Sequence, residues 1–280
     1  MKIAISVETA ADFSKELIEK YDLKVIPFGI VHGDNLFKDG DMTTEELLNL
    51  AETSGVLPKT NAINEFEYTE HFESILKDYD AVIHFVLSSG ISSACSNAIR
   101  AAKEFDNVYI VDTLSLAGGI ACLALYAKDL ANQGLDAKEI YEKCQKRVGD
   151  VVTTFVIEKL NYLYKGGRCN SLQLLGANLL KLRPRIALID GVMKNDKKYR
   201  GGMGSVIAKY ADELFTENAN PDLTRVVISF STATDEMLKS AREACQNMGF
   251  KEVIELPTGA TIASHCGEHT VGILFLNDGE

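Results

Sequence analysis

Short apolar runs rich in valine and isoleucine alternate with amphipathic stretches in the first half of the chain. The runs cover residues 2–7, 23–30, 81–87 and 108–111 and are typical of buried strands. Because strands that alternate with helices usually pair in parallel beneath those helices, this order predicts an α/β domain with a parallel sheet. Ligands bind such sheets beyond the carboxyl ends of the strands.

Helix signals occupy the segments between those runs. Thr43-Thr44-Glu45-Glu46 has the form of a capping box, in which a hydroxyl and a carboxylate satisfy each other's backbone N–H groups. Apolar positions recur with helical spacing at residues 65–76, and alanines do so at residues 92–102. A long helical stretch follows at residues 115–148. These segments supply the helices that a parallel sheet requires.

The second half has a different pattern, with less regular alternation. Asp190-Gly191 is a hairpin turn signal. Strands are predicted at residues 151–157, 184–189, 192–193, 225–230, 252–256 and 271–276, and helices at residues 170–182, 202–214 and 235–248. We therefore predict an N-terminal α/β domain at residues 1–149 and a mixed C-terminal α/β domain at residues 150–280.

Charge and composition narrow the possible partners. The 280 residues carry a formal net charge of −11, which repels phosphate backbones and disfavours nucleic acid. No apolar run is long enough for a membrane segment, and the N-terminus does not have the form of a signal peptide, so we expect a cytoplasmic protein. The six cysteines lack the spacing of a metal or redox motif and are predicted to be buried thiols.

The segment Leu87-Ser88-Ser89-Gly90 carries the strongest local signal for chemistry. A buried strand runs into serines and a glycine and then into a helix, whose free backbone N–H groups favour an anion. Ser88 and Ser89 add hydroxyl donors. The plainer interpretation, favoured by the residues alone, is that the serines of this turn only cap the helix.

Three further segments offer polar groups that fit either a binding site or an ordinary structural role. Thr60 and Asn61 lie in a predicted loop, and Arg168 ends a Gly-Gly turn where it is placed to pair with a carboxylate or stay solvated. His265 is predicted at the end of a short strand. His269 follows it at a metal-like spacing, but the glycine between them breaks any helix, so we predict no metal site.

Six segments of the chain, in order, resemble motifs of the DegV family of bacterial fatty-acid-binding proteins. The most specific is Leu160-Asn161-Tyr162-Leu163-Tyr164-Lys165-Gly166-Gly167-Arg168, close to the family's Leu-x-Tyr-Leu-x-x-Gly-Gly-Arg. The other five are residues 8–12, Pro58-Lys59-Thr60, Ser88-Ser89-Gly90-Ile91-Ser92, Leu182-Arg183-Pro184 and His265-Cys266-Gly267. Departures lie beside these motifs, at residues 61–64, 93–95 and 268–269.

The resemblance implies a long-chain fatty acid between the two domains. Its carboxylate would meet Thr60 and Ser89, with Ser88, Asn61, Arg168 and His265 as neighbours. A separate fatty acid kinase would then convert the carboxylate to an acyl phosphate. The chain itself would be a lipid-binding protein and not an enzyme, and would need no cofactor.

Two alternatives remain open at this stage. The first is a hydrolase or acyltransferase with Ser89 as nucleophile and His265 as base, although no orienting acid is evident in the sequence. The second is a binding protein for a phosphorylated metabolite, held at the glycine-rich segment of residues 201–205, which lacks the lysine placement of a P-loop.

Overall fold

The computed structural model of the chain describes residues 1–169 and 182–278. The helix predicted at residues 170–182 lies outside the described residues, apart from its last position.

Three sheets form the framework of the described part of the chain. The strands are β1 (Ile3–Glu8), β2 (Leu23–Ile26), β3 (Gly29–His32), β4 (Asn35–Lys38), β5 (Lys59–Asn61), β6 (Ala81–Val86), β7 (Val108–Asp112), β8 (Val151–Val156), β9 (Arg183–Ile189), β10 (Val192–Tyr199), β11 (Pro221–Ser231), β12 (Glu252–Pro257) and β13 (Thr270–Asn277). The first sheet has the order β2-β1-β6-β7 and is parallel throughout. The second, β10-β9-β8-β13-β11-β12, is antiparallel except for the parallel pair β11–β12. The predicted fold class, a parallel α/β sheet followed by a mixed sheet, is confirmed.

Helices cover these sheets. They are α1 (Lys15–Tyr21), α2 (Thr44–Ser54), α3 (Glu65–Leu76), α4 (Ala94–Ala102), α5 (Gly118–Asn132), α6 (Ala137–Arg147), α7 (Asn161–Gly166), α8 (Met203–Glu217), α9 (Asp235–Met248) and α10 (Ala260–Cys266). The predicted capping box begins α2, where the Thr43 hydroxyl accepts from the Glu46 N–H at 3.2 Å and the Glu46 carboxylate accepts from the Thr43 N–H at 2.8 Å.

Helix α5 lies between the first two sheets and joins their cores. It contacts β1 on one side and β8, β11 and β13 on the other, and most of its side chains are buried. A helix that is apolar all round is buried on all sides, as here. The predicted helical stretch at residues 115–148 is therefore two helices, separated at Gly134, whose φ is +89°. Since one apolar core includes residues of both halves, the domain division at residue 149 stays a prediction.

Two local predictions near the functional segments were wrong. Thr60 lies on β5, the edge of a small antiparallel sheet of order β4-β3-β5, and not in a loop. His265 lies in helix α10 and not at the end of a strand. The hairpin turn is confirmed, because Asp190 and Gly191 both have positive φ, +53° and +76°, as a primed two-residue turn between β9 and β10 requires.

No helix among residues 1–169 and 182–278 is both long and apolar enough to cross a membrane.

Candidate functional site

A cavity of about 850 Å³ lies among the described residues and is of the size that holds small ligands. Residues from both halves of the chain line it. Its polar wall consists of Thr60, Ser89, Ser92, Ser93, Arg168, Lys194, Thr261 and His265. Its apolar wall includes Phe28, Leu87, Ile91, Leu116, Met193 and Ile262.

The Thr60 hydroxyl and the His265 imidazole form the centre of the polar wall. The Thr60 Oγ1 and His265 Nε2 atoms are 2.9 Å apart, which joins strand β5 to helix α10. Burial, and after it the charge of Arg168, lowers the pKa of His265 to about 4. The imidazole is therefore neutral at pH 7 and can orient the hydroxyl toward a ligand without adding a fixed charge.

Gly166 allows helix α7 to approach this imidazole closely. A Cβ atom at position 166 would lie 2.6 Å from His265 Nδ1. That nitrogen is buried and has no hydrogen-bond partner among the described residues. The Gly-Gly-Arg turn thus serves a packing purpose at its first glycine, while Arg168 is exposed at the cavity edge and donates to the Gly166 carbonyl at 2.7 Å.

The serine turn divides its two candidate hydroxyls between different tasks. Ser88 is buried, donates to the Gly191 carbonyl at 2.7 Å and accepts from the Gly90 N–H at 3.1 Å. It ties the turn to the β9–β10 hairpin and does not line the cavity. Ser89 is exposed and lines the cavity, and its backbone N–H donates to Asp112 at 3.2 Å.

Asn61 is the second predicted residue that the cavity wall does not include. Successive side chains of a strand point to opposite faces. Because Thr60 faces the cavity, Asn61 faces away, beside Gly29 of the neighbouring strand, and Ala62 returns to the wall. Of the six predicted residues, the structure therefore brings Thr60, Ser89, Arg168 and His265 to one cavity and leaves Ser88 and Asn61 outside it.

The segment from Glu8 to Asp12, at the carboxyl end of β1, anchors several parts of the wall. The Glu8 carboxylate accepts from the Leu87 N–H at 2.7 Å and from the Tyr68 hydroxyl. The Ala10 carbonyl accepts from the Ala117 N–H at 2.9 Å, which fixes the start of α5. Burial raises the pKa of Glu8 to about 7. This segment resembles a family motif. It does not line the cavity, but its contacts hold parts of the cavity wall in place.

The apolar wall continues into a second, small space. A cavity of about 20 Å³ shares Leu116, Ile262 and Cys266 with the main cavity. Residues such as Leu116, Ile262 and Lys194 were not singled out from the sequence. Their position depends on how α5, α10 and the hairpin meet, which no local pattern records.

The remaining candidates of the sequence lie elsewhere. His269 pairs with Glu158, and the described residues contain no group of three or more metal-ligating side chains. The glycine-rich segment at residues 201–205 begins helix α8 and is not part of the cavity wall. All six cysteines are buried, and none forms a disulfide among the described residues.

Comparison with known proteins decides the family. The profile of the DegV family, described as uncharacterised proteins, matches residues 2–278. This chain belongs to the DegV family. A DegV relative from Thermotoga maritima, named a fatty acid-binding protein, is 30% identical over 97% of this chain and 96% of its own length.

Solved DegV structures share the fold. A DegV family protein from Thermus thermophilus superposes with a TM-score of 0.89 at 22% identity, over 99% of this chain and all of that one. DegV of Bacillus subtilis, described as a fatty acid binding protein, gives a TM-score of 0.85 at 25% identity, over 99% of this chain and 100% of that one. The DegV motifs recognised in the sequence thus belong to a fold shared along the whole chain.

Proposed function

We propose that this protein binds one long-chain fatty acid in the 850 Å³ cavity, with the carboxylate at Thr60, Ser89 and His265 and the acyl tail against the apolar wall. The observation that carries the proposal is the composition of this single cavity, which joins a hydroxyl–imidazole pair to a large apolar surface. The DegV relatives named as fatty-acid-binding proteins support it.

The energetics of the cavity suit a fatty acid. Each buried methylene contributes roughly 0.8 kcal/mol, so the tail supplies most of the affinity. The carboxylate must then be hydrogen-bonded, because an unpaired buried charge is costly. Hydroxyls of Thr60 and Ser89 meet that need. The neutral His265 and the exposed Arg168 leave the carboxylate without a tight buried ion pair.

The position of the proposed headgroup supports presentation to a second protein. Ser89, Gly90 and Arg168 are exposed, so the carboxylate end of the ligand lies near the surface. A partner can reach it there while the tail remains buried. We propose that this partner is a separate fatty acid kinase that forms an acyl phosphate in the cytoplasm, and that the chain acts without a cofactor as its substrate-presenting subunit.

Native mass spectrometry of the purified protein tests the proposal. We expect an adduct with the mass of one long-chain fatty acid, which is lost in the double variant Thr60→Ala with Ser89→Ala. The matched control is Thr53→Ala with Ser96→Ala, which removes two exposed hydroxyls whose hydrogen bonds go to helix carbonyls. An adduct retained in full by the first double variant contradicts the headgroup assignment, and an adduct with a phosphorylated metabolite contradicts the ligand class.

The hydrolase alternative has less support from the geometry. His265 Nε2 is hydrogen-bonded to Thr60, and no described residue orients its Nδ1 atom. A Ser–His–acid arrangement instead needs the serine hydroxyl on one imidazole nitrogen and a carboxylate on the other. A fluorophosphonate probe that labels Ser89 would revive this alternative.

A further inference from the structure

Helix α10, which carries His265, begins without a cap of its own. Its N-cap residue is Gly259, which has no side chain to accept a hydrogen bond from the first helical N–H groups. Two carboxylates from the distant N-terminal part of the chain take that place. Asp12 accepts from the Gly259 N–H at 2.8 Å, and Asp39 accepts from the next two N–H groups, at 2.9 and 3.0 Å.

The helix is short enough that its start fixes its end. It has seven residues, so His265 lies less than two turns from the capped N–H groups. At that far end the imidazole must meet both the Thr60 hydroxyl and the Gly166 backbone. A small rotation at the N-terminus would therefore displace the imidazole from Thr60.

We infer that Asp12 and Asp39 are positioning residues for the headgroup site, and that Asp12 serves there as a neutral acceptor. The inference rests on the proposed function for its binding readout. Both carboxyl groups are buried, at 6% and 7% exposure, yet they use their oxygens differently.

The hydrogen bonds distinguish the two carboxyl groups. Asp39 uses both oxygens, one for each of the Ala260 and Thr261 N–H groups. Asp12 uses only Oδ1, and its Oδ2 is buried without a partner among the described residues. A bare carboxylate oxygen in that position is costly, so the proton belongs on Asp12.

Electrostatics point the same way. Burial, together with the charge of Asp39, raises the pKa of Asp12 well above its ordinary value. One negative charge at a helix N-terminus is favourable, whereas two adjacent buried charges repel each other. A proton on Asp12 removes that repulsion.

Asparagine should therefore replace Asp12 but not Asp39. Asp12→Asn keeps the Oδ1 acceptor, puts an amide in place of the protonated oxygen and tolerates the left-handed φ of +58° at this position. Asp39→Asn loses one of two acceptors and turns an N–H donor toward a backbone N–H. Asp39→Asn sets a donor against a backbone donor, whereas Asp12→Asn only replaces one unpartnered buried donor, the protonated oxygen, with another. We therefore expect oleate binding to weaken about 10-fold in Asp39→Asn and less than about 3-fold in Asp12→Asn.

The imidazole resonances give a readout that general destabilisation does not mimic. We expect Asp39→Asn to shift the His265 ring signals in the NMR spectrum and to leave those of His32, His71 and His84 in place. Gly259→Ala is a second variant, because its Cβ atom would lie 3.0 Å from the Asp39 carboxylate and displace it while both acids remain. It should shift the His265 signals in the same direction, by less.

The possible outcomes distinguish failure of the proposed function from failure of the positioning role. Failure of the wild-type protein to bind any fatty acid overturns the proposed function, but leaves the His265 shifts as a test of positioning. Equal His265 shifts in Asp12→Asn and Asp39→Asn overturn the division of tasks. Unmoved His265 signals in Asp39→Asn and Gly259→Ala overturn the positioning itself.

Discussion

Two histidine–hydroxyl clusters in this protein have the same local chemistry and different surroundings. In the core of the parallel sheet, the Ser6 hydroxyl lies 2.8 Å from His71 Nε2 and 2.8 Å from His84 Nδ1. At the cavity, the Thr60 hydroxyl lies 2.9 Å from His265. Burial lowers the pKa of both His71 and His265 to about 4.

The two clusters differ in whether a cavity adjoins them. Aromatic rings enclose the core cluster, with the Tyr68 and Phe72 ring centres each 5.4 Å from that of His84. The cavity cluster opens onto 850 Å³ with Ser89 and Arg168 on its rim. A buried, hydrogen-bonded histidine with a lowered pKa is therefore no sign of a binding site by itself. The adjoining cavity is what makes the second cluster a candidate binding site.

The largest expected effect is on the free energy of unfolding and comes from a substitution in the core cluster. His84→Ala should lower the free energy of unfolding by about 3 kcal/mol, because it opens a void between packed rings and leaves the Ser6 hydroxyl with one partner fewer. Chemical denaturation measures this. The fraction of folded protein that carries fatty acid should be unchanged, and its loss would contradict a purely structural core cluster.

Glu8 sharpens the comparison, because it lies beside the core cluster and anchors the cavity wall. Its pKa in the folded protein is about 7, above the ordinary value of 4.5. The folded state therefore holds this proton more tightly than the unfolded state, and the group costs stability as pH rises from about 4.5 through 7.

Glu8→Gln removes that titration. We expect the variant to gain roughly 3 kcal/mol over the wild type at pH 8 relative to their difference at pH 4.5. Unfolding free energies of both proteins at the two pH values measure it, and contributions from the histidines cancel in the difference. A pH-independent difference would contradict a buried, protonated Glu8.

The next effect concerns binding alone. Thr60→Val keeps the shape of the side chain and suits strand β5, but removes the hydroxyl. We expect fatty acid to bind about 10-fold more weakly, about 1.4 kcal/mol, with a smaller change in the free energy of unfolding. Thr60→Ser restores the hydroxyl and should restore most of the affinity in a fluorescent fatty acid displacement assay. Equal losses in the two variants would show that the hydroxyl is not the group that matters.

The smallest expected effect comes from Gly166→Ala. The new methyl group would press on His265 Nδ1 from 2.6 Å, so the imidazole must shift by a small amount. We expect a loss of affinity of about 3-fold, measured in the same assay. Gly167 has a positive φ of +69° and open space around it, so Gly167→Ala reports backbone strain without that contact. A larger loss in Gly167→Ala would place the effect in the turn and not at His265.

Much of the fold could be predicted because it follows local periodicity. The helices at residues 65–76 and 235–248 were predicted with their observed bounds, and the strands of the parallel sheet were located from their apolar runs. The small sheet of β3, β4 and β5 was missed, since its strands are three or four residues long and largely polar at the edges. Helix α10 was missed because its cap comes from Asp12 and Asp39, far away in sequence.

Part of the site could be predicted because four of its residues lie in local sequence motifs. Thr60, Ser89, Arg168 and His265 belong to motifs that mark the family, and all four line one cavity. Ser88 belongs to such a motif and Asn61 directly follows one, but the first is turned away by a hairpin contact and the second by strand alternation. Which neighbour of a pair faces a cavity is decided by tertiary packing and not by the motif.

The most direct test of the headgroup assignment follows the carboxylate itself. NMR of oleate labelled with ¹³C at its carboxyl carbon should give one bound resonance in the wild-type protein. We predict that Thr60→Val and Ser89→Ala each shift this resonance and that Ser6→Ala, in the core cluster, leaves it unchanged. A bound resonance that neither cavity variant moves would contradict the account.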